Sequence, residues 1–161
     1  MDDGLARALN RQLNQELRNA YLYMSMAAYF EELSLSGFAH YFMVQAREEL
    51  EHAMRIFRHL ADRGVRIELL DIPAPVSKWE SPLKVIEAFL AAERENTSRI
   101  WELYELAKKT GDKATEVFLH WFINEQVEEE KNAMDLLAKV KAIGDNYAQL
   151  LVLDRFLTER K

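Results

Sequence analysis

Residues that interrupt helices are rare in this chain, and they stand where long periodic segments end. Five glycines and three prolines occur among 161 residues. Four of the glycines lie near the end of a segment with helical periodicity, where a helix C-cap favours glycine. They are Gly37, Gly64, Gly111 and Gly144. Ser81-Pro82 is typical of an N-cap followed by proline at the first helical position, and Asp112 can cap the segment after Gly111.

These boundaries predict an all-α chain of five helices, because no strand-like alternation persists along the sequence. The helices are expected at about 5–34, 37–63, 82–110, 112–142 and 146–158. A chain of 161 residues is long enough for one domain with a sizeable core. We therefore expect a single domain over residues 1–161, with a bundle at about 5–142 and a short fifth helix.

The connections between the helices predict the topology. Very short links join helix one to helix two and helix three to helix four, and such links make antiparallel hairpins. Residues 65–80 join the two hairpins. Fully extended, this link reaches roughly 50 Å, whereas a helix of about 27 residues is roughly 40 Å long. It can therefore run the length of the bundle, which favours two hairpins joined by one long crossover over a simple up-down bundle.

Two apolar segments indicate that the bundle has a further partner. Residues 20–30, AYLYMSMAAYF, are apolar almost all the way around the first helix, although every helix of a bundle has an outer face. Either the crossover alone covers this face, or copies of the chain associate through it, and we favour association. The fifth segment, YAQLLVLDRFL, also needs a neighbour because it is short and apolar.

Polar residues interrupt the inward stripe of each long helix near its middle. These residues are Glu16 in helix one, Glu49 and His52 in helix two, Glu93 in helix three, and Gln126 and Glu129 in helix four. Glu93 lies 18 residues before Gly111, and Glu129 lies 18 residues after it. At roughly 1.5 Å per residue, the polar groups of each hairpin fall in one layer. Four helices are therefore expected to direct these side chains to one place.

A metal ion is the simplest explanation for such a layer. Several buried carboxylates repel one another, and no arginine or lysine lies in the stripes to pair with them. Oxygen ligands with one imidazole suit iron or manganese better than metals that prefer sulfur. Glu49 stands where it could bridge two ions, which lie roughly 3.5–4 Å apart in such sites.

Each signal has an ordinary structural explanation when it is taken alone. A lone Glu-x-x-His on a helix is usually a solvated pair, and a buried Glu or Gln is usually hydrogen-bonded. The acidic run at residues 124–131 is by itself most often a solvated face, and Tyr23 is more often a core residue than a catalytic one. The coincidence of four helices at one depth favours a dinuclear metal site over these explanations.

Composition and charge exclude several other functions. A chain without cysteine forms no disulfide, zinc–thiolate site, iron–sulfur cluster or cysteine nucleophile. The net charge of −6 argues against nucleic acid as the main partner and suits a cation-binding protein. The N-terminus lacks the pattern of a secretory signal, and no apolar run approaches the roughly 18 residues of a membrane span. We expect a cytoplasmic protein with no membrane partner.

Four stretches of the sequence resemble the non-haem ferritins of bacteria and archaea, and the resemblance covers nearly the whole chain. They are LNRQLNQELRNAYLYMSMAAYF, QAREELEHAM, ESPLKVIEAF and FLHWFINEQVEEEK. The resemblance implies a ferritin-like four-helix bundle with a long crossover between helices two and three and a short fifth C-terminal helix. It also implies assembly of 24 subunits into a hollow shell. In each subunit, a ferroxidase centre would oxidise Fe(II) to Fe(III) with dioxygen, and the product would be stored inside as hydrated oxide.

The resemblance assigns side chains to a di-iron centre by matching position. The first iron would be held by Glu16, Glu49 and His52, and the second by Glu49, Glu93 and Glu129, with Gln126 beside it. Glu49 is thereby expected to act in catalysis as the bridge. Tyr23 matches the tyrosine beside the centre and is also expected to act in catalysis, and Trp121 matches a nearby tryptophan.

The resemblance also implies a third iron site beside this pair. It would be formed by Glu48, Glu125 and Glu128, with Glu129 shared. The expected cofactor and substrate is therefore iron, with two ions per subunit at the centre and a third at the outer site.

The sequence differs from the bacterioferritins and the rubrerythrins, two related families, at positions that bear on haem and metal binding. Helix four carries Gln126-x-x-Glu129 where a bacterioferritin would have its second Glu-x-x-His, and Leu50 replaces the methionine that binds haem there. No haem is therefore expected. Rubrerythrins carry a cysteine-rich domain, which a chain without cysteine cannot form. The polar stretch RENTSR, residues 94–99, has no explanation in the resemblance.

Two other functions remain open at this point. Another di-iron enzyme, such as a peroxidase or an oxygenase, could use the same fold, but it needs an open substrate pocket. Phe89, Phe118 and Phe122 indicate a filled one. A structural or partner-binding helical bundle would take up no metal and would leave the buried acids unexplained.

Overall fold

The computed structural model describes residues 1–161 and consists of five helices without strands. The helices are α1 (Asp3–Glu32), α2 (Ser36–Asp62), α3 (Pro82–Thr110), α4 (Lys113–Ile143) and α5 (Tyr147–Leu157). The prediction of an all-α bundle with a long crossover and a short fifth helix is confirmed. The helix α1 packs on α2 and α3 packs on α4, as expected for two hairpins, and α5 packs against α2 and α4. No helix combines the length and the apolarity that a membrane span requires.

Side-chain caps explain where four of the helices begin. In each case an oxygen accepts a hydrogen bond from the backbone N–H three residues further on, which satisfies a group that the first helical turn leaves free. The capping residues are Asp2 for α1, Ser81 for α3, Asp112 for α4 and Asn146 for α5. The N-caps that the sequence indicates at Ser81 and Asp112 are therefore confirmed. Gly111 ends α3 with a φ of 71°, as expected for a glycine C-cap.

The turn between α1 and α2 differs from the expectation. Gly37 does not end helix one; it lies in the first turn of α2, and Ser34 adopts the positive φ, at 57°. Glycine is required at this position because a Cβ would lie 1.6 Å from the backbone oxygen of Asp154 in α5. The Asp154 carboxylate accepts a hydrogen bond of 2.8 Å from the backbone N–H of Phe38. The helix α5 therefore supplies the cap that Leu35, the N-cap residue of α2, cannot provide.

Two asparagines on α1 hold the start of the crossover along that helix. Asn10 bonds to the carbonyl of Arg66 and the N–H of Glu68, at 3.0 and 2.8 Å. Asn14 bonds to the carbonyl of Glu68 and the N–H of Leu70, at 2.7 and 2.8 Å. Four helical residues rise roughly 6 Å, and two extended residues span nearly the same distance. The crossover therefore runs parallel to α1 in register with it.

The crossover covers only part of the outer face of α1. Tyr21 and Met24 remain 44% and 47% exposed, and Leu50 on α2 remains 49% exposed beside them. Together with Ile72 these side chains line an apolar groove between α1 and α2, which we call the α1/α2 groove. The crossover alone therefore does not bury the apolar surface of helix one.

The hydrophobic core is divided into two clusters. One cluster is rich in aromatic side chains and includes Tyr23, Phe30, Phe42 and Phe89. The other includes Leu9, Ile56, Ile100 and Phe122. Along every long helix the residues that separate the two clusters are the polar interruptions of the inward stripe. The fold therefore places a polar layer across the middle of the bundle.

Phe118, one of the three phenylalanines expected to fill the interior beside the centre, does not take an inward position on α4. Phe118 is only half-buried, and its ring stacks on that of His59 with 4.1 Å between the centroids. Leu119 takes the inward position and is fully buried. The buried residue that precedes Phe122 on α4 is therefore three positions away rather than four, because Phe118 packs at the edge of the bundle against His59 of α2.

Candidate metal centre

The polar layer consists of ionisable side chains from four helices, and all of them are removed from water. Glu16, Glu49 and Glu93 are fully buried, and His52 and Glu129 are each only 3% exposed. An isolated buried carboxylate is very unfavourable unless it is protonated, hydrogen-bonded or bound to a cation. The layer therefore needs protons, hydrogen-bond donors or a bound cation to offset the burial of its carboxylates.

Three of these side chains form a compact group of possible ligands. The Nδ1 atom of His52 lies 3.7 Å from Glu49 Oε1 and 3.9 Å from Glu16 Oε2. One ligand atom from each residue lies within 4.8 Å of the other two. The structure thus brings together Glu16, Glu49 and His52, the residues assigned to the first iron.

Unsatisfied polar atoms mark the same place. Glu49 Oε1, His52 Nδ1 and Gln126 Oε1 are buried and have no hydrogen-bond partner within the chain. Buried polar atoms are nearly always paired, so three unpaired ones in one layer call for an explanation. Each of the three can offer a lone pair to a cation, which for Glu49 and His52 includes the loss of a proton. The donor set therefore fits a divalent metal ion bound by oxygen and imidazole ligands.

The residues assigned to the second iron lie in the same layer but are less closely gathered. Glu93 accepts a hydrogen bond from the hydroxyl of Tyr23 on one carboxylate oxygen and from Gln126 Nε2, at 3.2 Å, on the other. Gln126 Nε2 also reaches the Glu93 carbonyl and Thr97 Oγ1, both at 3.2 Å. These contacts fix the amide so that its oxygen stays free. A second group of mutually close ligand atoms is formed by His52, Glu125 and Glu129. Glu93 belongs neither to this group nor to the first one.

A set of neutral amides surrounds the carboxylates. Each buried acid accepts a hydrogen bond from at least one amide side chain. The pairs are Gln12 to Glu16 at 2.7 Å, Asn19 to Glu49 at 3.4 Å, Gln126 to Glu93 at 3.2 Å and Gln45 to Glu129 at 3.0 Å. An amide donates a hydrogen without adding a positive charge. The acids are therefore oriented without a fixed positive charge that would compete with a metal cation.

The stretch RENTSR, which the resemblance leaves unexplained, supports this layer from α3. Asn96 donates to Glu16 Oε2 at 3.3 Å. Thr97 bonds through its hydroxyl to Glu130 Oε2 at 3.0 Å, and the Arg94 guanidinium lies 3.5 Å from the same carboxylate. The polar character of this stretch therefore reflects a second row of contacts behind the ligands.

The first ligand group holds protons that a metal ion would displace. Burial and the charges of Glu16 and Glu93 raise the pKa of Glu49 well above its usual range. Burial also acts on Glu16, but the close contacts of its carboxylate with His52 and Glu49 outweigh burial and lower the pKa of Glu16. Burial opposes protonation of His52, yet contacts with Glu125 and Glu16 raise its pKa to about 10. Metal binding at this group is therefore expected to release protons.

The remaining acids of the layer are also affected by burial. Burial and the neighbouring charge of Glu129 raise the pKa of Glu93 to about 8. Burial raises the pKa of Glu129 to about 7, although the hydrogen bond from Gln45 opposes the shift. Burial and the charge of Glu93 raise the pKa of Tyr23 well above its usual range. Tyr23 therefore keeps its proton and acts as a hydrogen-bond donor to Glu93.

The three acids assigned to the third iron are placed differently from one another. Glu125 Oε1 lies 3.8 Å from His52 Nε2, on the opposite side of the ring from Glu16 and Glu49. Glu48 instead forms an ion pair of 2.9 Å with Arg160. Glu128 is exposed on α4, and no hydrogen bond or ion pair joins it to the others. The structure therefore brings Glu125 to the layer and leaves Glu48 and Glu128 outside it.

The predicted neighbour Trp121 borders the layer through the same histidine. Its ring centroid lies 5.3 Å from that of His52, with the two rings nearly perpendicular. The guanidinium of Arg55 lies 3.9 Å above the Trp121 ring. The indole therefore contacts both a residue of the metal layer and the exposed guanidinium of Arg55.

Comparison with known proteins agrees with this geometry. Residues 6–143 match the family model of the ferritin-like domain. The bacterial non-heme ferritin of Staphylococcus haemolyticus (strain JCSC1435) is 40% identical over 97% of this chain and 94% of its own length. That of Staphylococcus aureus (strain USA300) is 38% identical over 99% of this chain and 96% of its own length. An open pore ferritin from the hyperthermophilic archaeon Archaeoglobus fulgidus superposes with a TM-score of 0.99 at 43% identity, covering 100% of this chain and 99% of the other.

A four-helix bundle with one long crossover, a short fifth helix and a buried carboxylate–histidine layer defines the ferritin-like class of proteins. The family model covers most of the residues of this chain, and the named relatives match almost its whole length. The chain therefore belongs to the ferritin family, and its named bacterial relatives are non-heme ferritins. The resemblance that the four sequence stretches indicated is confirmed.

Proposed function

We propose that this protein stores iron by oxidising Fe(II) to Fe(III) with dioxygen at a di-iron centre in the polar layer. The oxidised iron is deposited as hydrated ferric oxide inside a shell of many copies of the chain. The single observation that carries the proposal is the trio of unpaired buried atoms Glu49 Oε1, His52 Nδ1 and Gln126 Oε1. Their position in a member of the ferritin family makes Fe(II) the cation that this layer takes as its substrate.

The residues of the layer have distinct roles in this proposal. Glu16, Glu49 and His52 bind one iron, because their ligand atoms already lie close together. Glu49, Glu93 and Glu129 bind the other, with Gln126 beside it, and Glu49 bridges the two ions. The amides and Tyr23 hold the carboxylates in orientation, since each donates a hydrogen bond to one of them. Two iron ions held at one bridge can deliver electrons to the same dioxygen molecule.

Exposed apolar surfaces support assembly of the chain with copies of itself. The α1/α2 groove is one such surface. A second lies on α5, where Leu151, Val152 and Phe156 are 44%, 59% and 65% exposed. Large exposed apolar patches usually mark interaction sites. The proposal therefore includes a homo-oligomeric shell, for which the resemblance leads us to expect 24 subunits. The cytoplasmic location stays a prediction.

Addition of Fe(II) in air should convert the purified protein into a large iron-loaded particle. We expect size-exclusion chromatography with light scattering to give a mass well above that of the 18.8 kDa chain, in low and high salt alike. The same peak should carry the absorbance of ferric oxide. A stable monomer at micromolar concentration would contradict the assembly, and a large particle that leaves added Fe(II) unoxidised would contradict the ferroxidase activity.

The rival di-iron enzyme is less well supported. A peroxidase or an oxygenase with an organic substrate needs space beside its metal centre. Phe89 and Phe122 are buried on the two sides of the layer, in the two core clusters. Oxidation of iron alone, without an added organic substrate, is the outcome that separates ferritin activity from this alternative.

Replacement of Glu125 should separate the outer iron site from the di-iron pair. We expect Glu125→Ala to leave the fast oxidation of the first two irons per subunit nearly intact, and to change the oxygen consumed per iron or the later turnover. Glu125 is a partly exposed side chain that contacts His52 at 3.8 Å, so its loss weakens the support of the histidine without removing a ligand of the pair. Stopped-flow oxidation at increasing iron-to-subunit ratios measures both phases.

The exposed carboxylate of Glu102 on α3 provides a matched control. Glu102→Ala should behave as the parent protein in both phases. Complete loss of the initial fast phase in Glu125→Ala would instead place Glu125 among the residues that the first two irons require.

A further inference from the structure

The C-terminal tail, residues 158–161, is fixed to α2 beside the metal layer by one arginine. Arg160 Nη2 lies 2.9 Å from Glu48 Oε2 and also donates to Gln45 Oε1. Its Nη1 donates to the carbonyl of Tyr41 at 3.3 Å, and its guanidinium lies 4.0 Å from the centroid of the Tyr41 ring. His40 Nε2 contacts the backbone carbonyl of Arg160. Only 17% of the arginine side chain is exposed.

The contact with Gln45 connects this arginine to a residue of the metal layer. Gln45 is fully buried, and its Nε2 donates to Glu129 Oε2 at 3.0 Å. Its Oε1 accepts from Arg160. A side-chain amide carries its acceptor and its donors on opposite sides, so an arginine on the oxygen directs the nitrogen toward the carboxylate. Arg160 therefore orients Glu129 through one neutral side chain.

The second consequence of the contact is competition for Glu48. A guanidinium is always charged at neutral pH, and its hydrogen bonds to a carboxylate are among the stronger ones in proteins. A divalent cation that uses Glu48 Oε2 as a ligand must displace this guanidinium, because Arg160 Nη2 already occupies that oxygen at 2.9 Å. Departure of Arg160 would also release the amide of Gln45 and its hold on Glu129.

We propose that Arg160 is an internal cation that holds Glu48, one carboxylate of the outer iron site, so that a third metal ion binds only when the C-terminal tail leaves α2. This inference rests on the proposed iron function and specifies how the outer site is regulated. Binding of the third ion and release of the tail are linked reciprocally: each favours the other to the same extent. Arg160 is a positioning residue for Glu129, and it sets the affinity of the outer site.

The absence of cysteine from the chain allows a direct test of tail release. Lys161→Cys introduces a unique thiol for a spin label at the end of the tail. The labelled protein, in its assembled form, is titrated anaerobically with Zn(II), which does not change its oxidation state. We expect the label to stay immobile up to two ions per subunit and to become mobile as the third binds. A third ion that binds while the label stays immobile would overturn the proposal.

Two substitutions separate the charge of Arg160 from its bulk. Arg160→Met keeps an apolar stem over Tyr41 but removes the charge, so the affinity for the third Zn(II), measured by calorimetry, should rise about tenfold. Arg160→Lys keeps the charge and should bind the third Zn(II) within a few-fold of the parent. Arg58→Met, at an exposed arginine of α2 without an ion pair, is the control and should change nothing. Equal third-ion affinity in the Met variant and the parent would refute the role of Arg160.

The same titration distinguishes failure of this inference from failure of the proposed function. If the parent binds two ions tightly and substitution of Arg160 does not change the affinity for the third ion, the di-iron centre is supported and the tail mechanism is wrong. If the parent binds fewer than two ions per subunit, the proposed metal centre is wrong, and the tail mechanism falls with it.

Discussion

Glu49→Ala should remove rapid Fe(II) oxidation, with a fall of the initial rate by at least about 100-fold, while the shell remains assembled. Loss of a residue that merely supports a ligand typically lowers activity by roughly 10–100-fold, and Glu49 is expected to hold both irons itself. It is fully buried, it lies 3.7 Å from His52, and its Oε1 has no other partner. The apolar surfaces proposed for assembly lie elsewhere. Stopped-flow oxidation and size-exclusion chromatography measure the two outcomes.

The metal-free variant should be at least as stable as the metal-free parent. The folded protein holds a proton on Glu49, because its pKa is raised well above the usual range, whereas the unfolded chain releases that proton near its ordinary pKa. The raised pKa of Glu49 therefore destabilises the folded protein. This destabilisation grows as the pH rises above the ordinary carboxyl pKa, and it is absent at lower pH. Glu49→Gln removes the titration without leaving a cavity. It should melt higher than the parent at pH 8 and about equally at pH 4.

Metal ions should reverse this order of stability. Zn(II) stabilises the folded state more when it binds more tightly, so the parent should gain more in melting temperature than either Glu49 variant. Glu51→Ala, an exposed carboxylate two residues away on α2, is the matched control and should follow the parent throughout. Unchanged oxidation kinetics in Glu49→Ala would refute the bridging role. A large loss of metal-free stability in both variants would mean that Glu49 is a structural residue.

The metal layer can be predicted from the sequence because helical geometry converts spacing into depth. Glu16 and His52 come from different helices, and the match of their distances from the first turn brings them within 3.9 Å. The same reasoning is less reliable for neighbours in sequence. Successive residues of a helix differ in direction by roughly 100°, and Glu128 is accordingly exposed although Glu129 is buried. The sequence motif assigns Glu128 to the outer iron site, but the motif does not specify the direction in which its side chain leaves the helix.

The amide donors could not be identified from spacing alone. Asn19 and Gln12 stand among the polar residues of LNRQLNQELRN, where nothing separates a buried amide from a solvated one. Their roles depend on the rotamers and the facing helices, as with Asn19 and Glu49, which lie 30 residues apart along the chain. The contacts of α5 are still less accessible to sequence reasoning. Phe38 and Asp154 are separated by 116 residues, and no periodicity relates them.

Gly37→Ala tests how this long-range contact supports the fold, and we expect it to detach α5 from the bundle. The added Cβ would lie 1.6 Å from the backbone oxygen of Asp154 and 2.6 Å from its carbonyl carbon. Backbone atoms cannot turn aside as the end of a side chain can, so α5 has to move. The movement also breaks the hydrogen bond by which Asp154 caps α2 at Phe38. Overpacking and the loss of a cap together should lower the free energy of unfolding by roughly 2–4 kcal/mol.

Detachment of α5 has consequences for assembly and for the tail that a simple loss of stability would not have. The exposed apolar residues of α5 would lose their fixed orientation, so Gly37→Ala should shift the particle toward small species in sedimentation velocity. Arg160 lies three residues beyond the end of α5, so a spin label at residue 161 should be mobile even without Zn(II). Gly4→Ala is the matched control, because its Cβ meets only the carboxylate end of Asp2, at 2.9 Å, and alanine favours a helix. Asp154→Ala removes the cap without the steric clash and should lose only about 1 kcal/mol. If Gly37→Ala melts, assembles and holds its tail as the parent does, the packing of α5 on the start of α2 does not fix the position of Arg160.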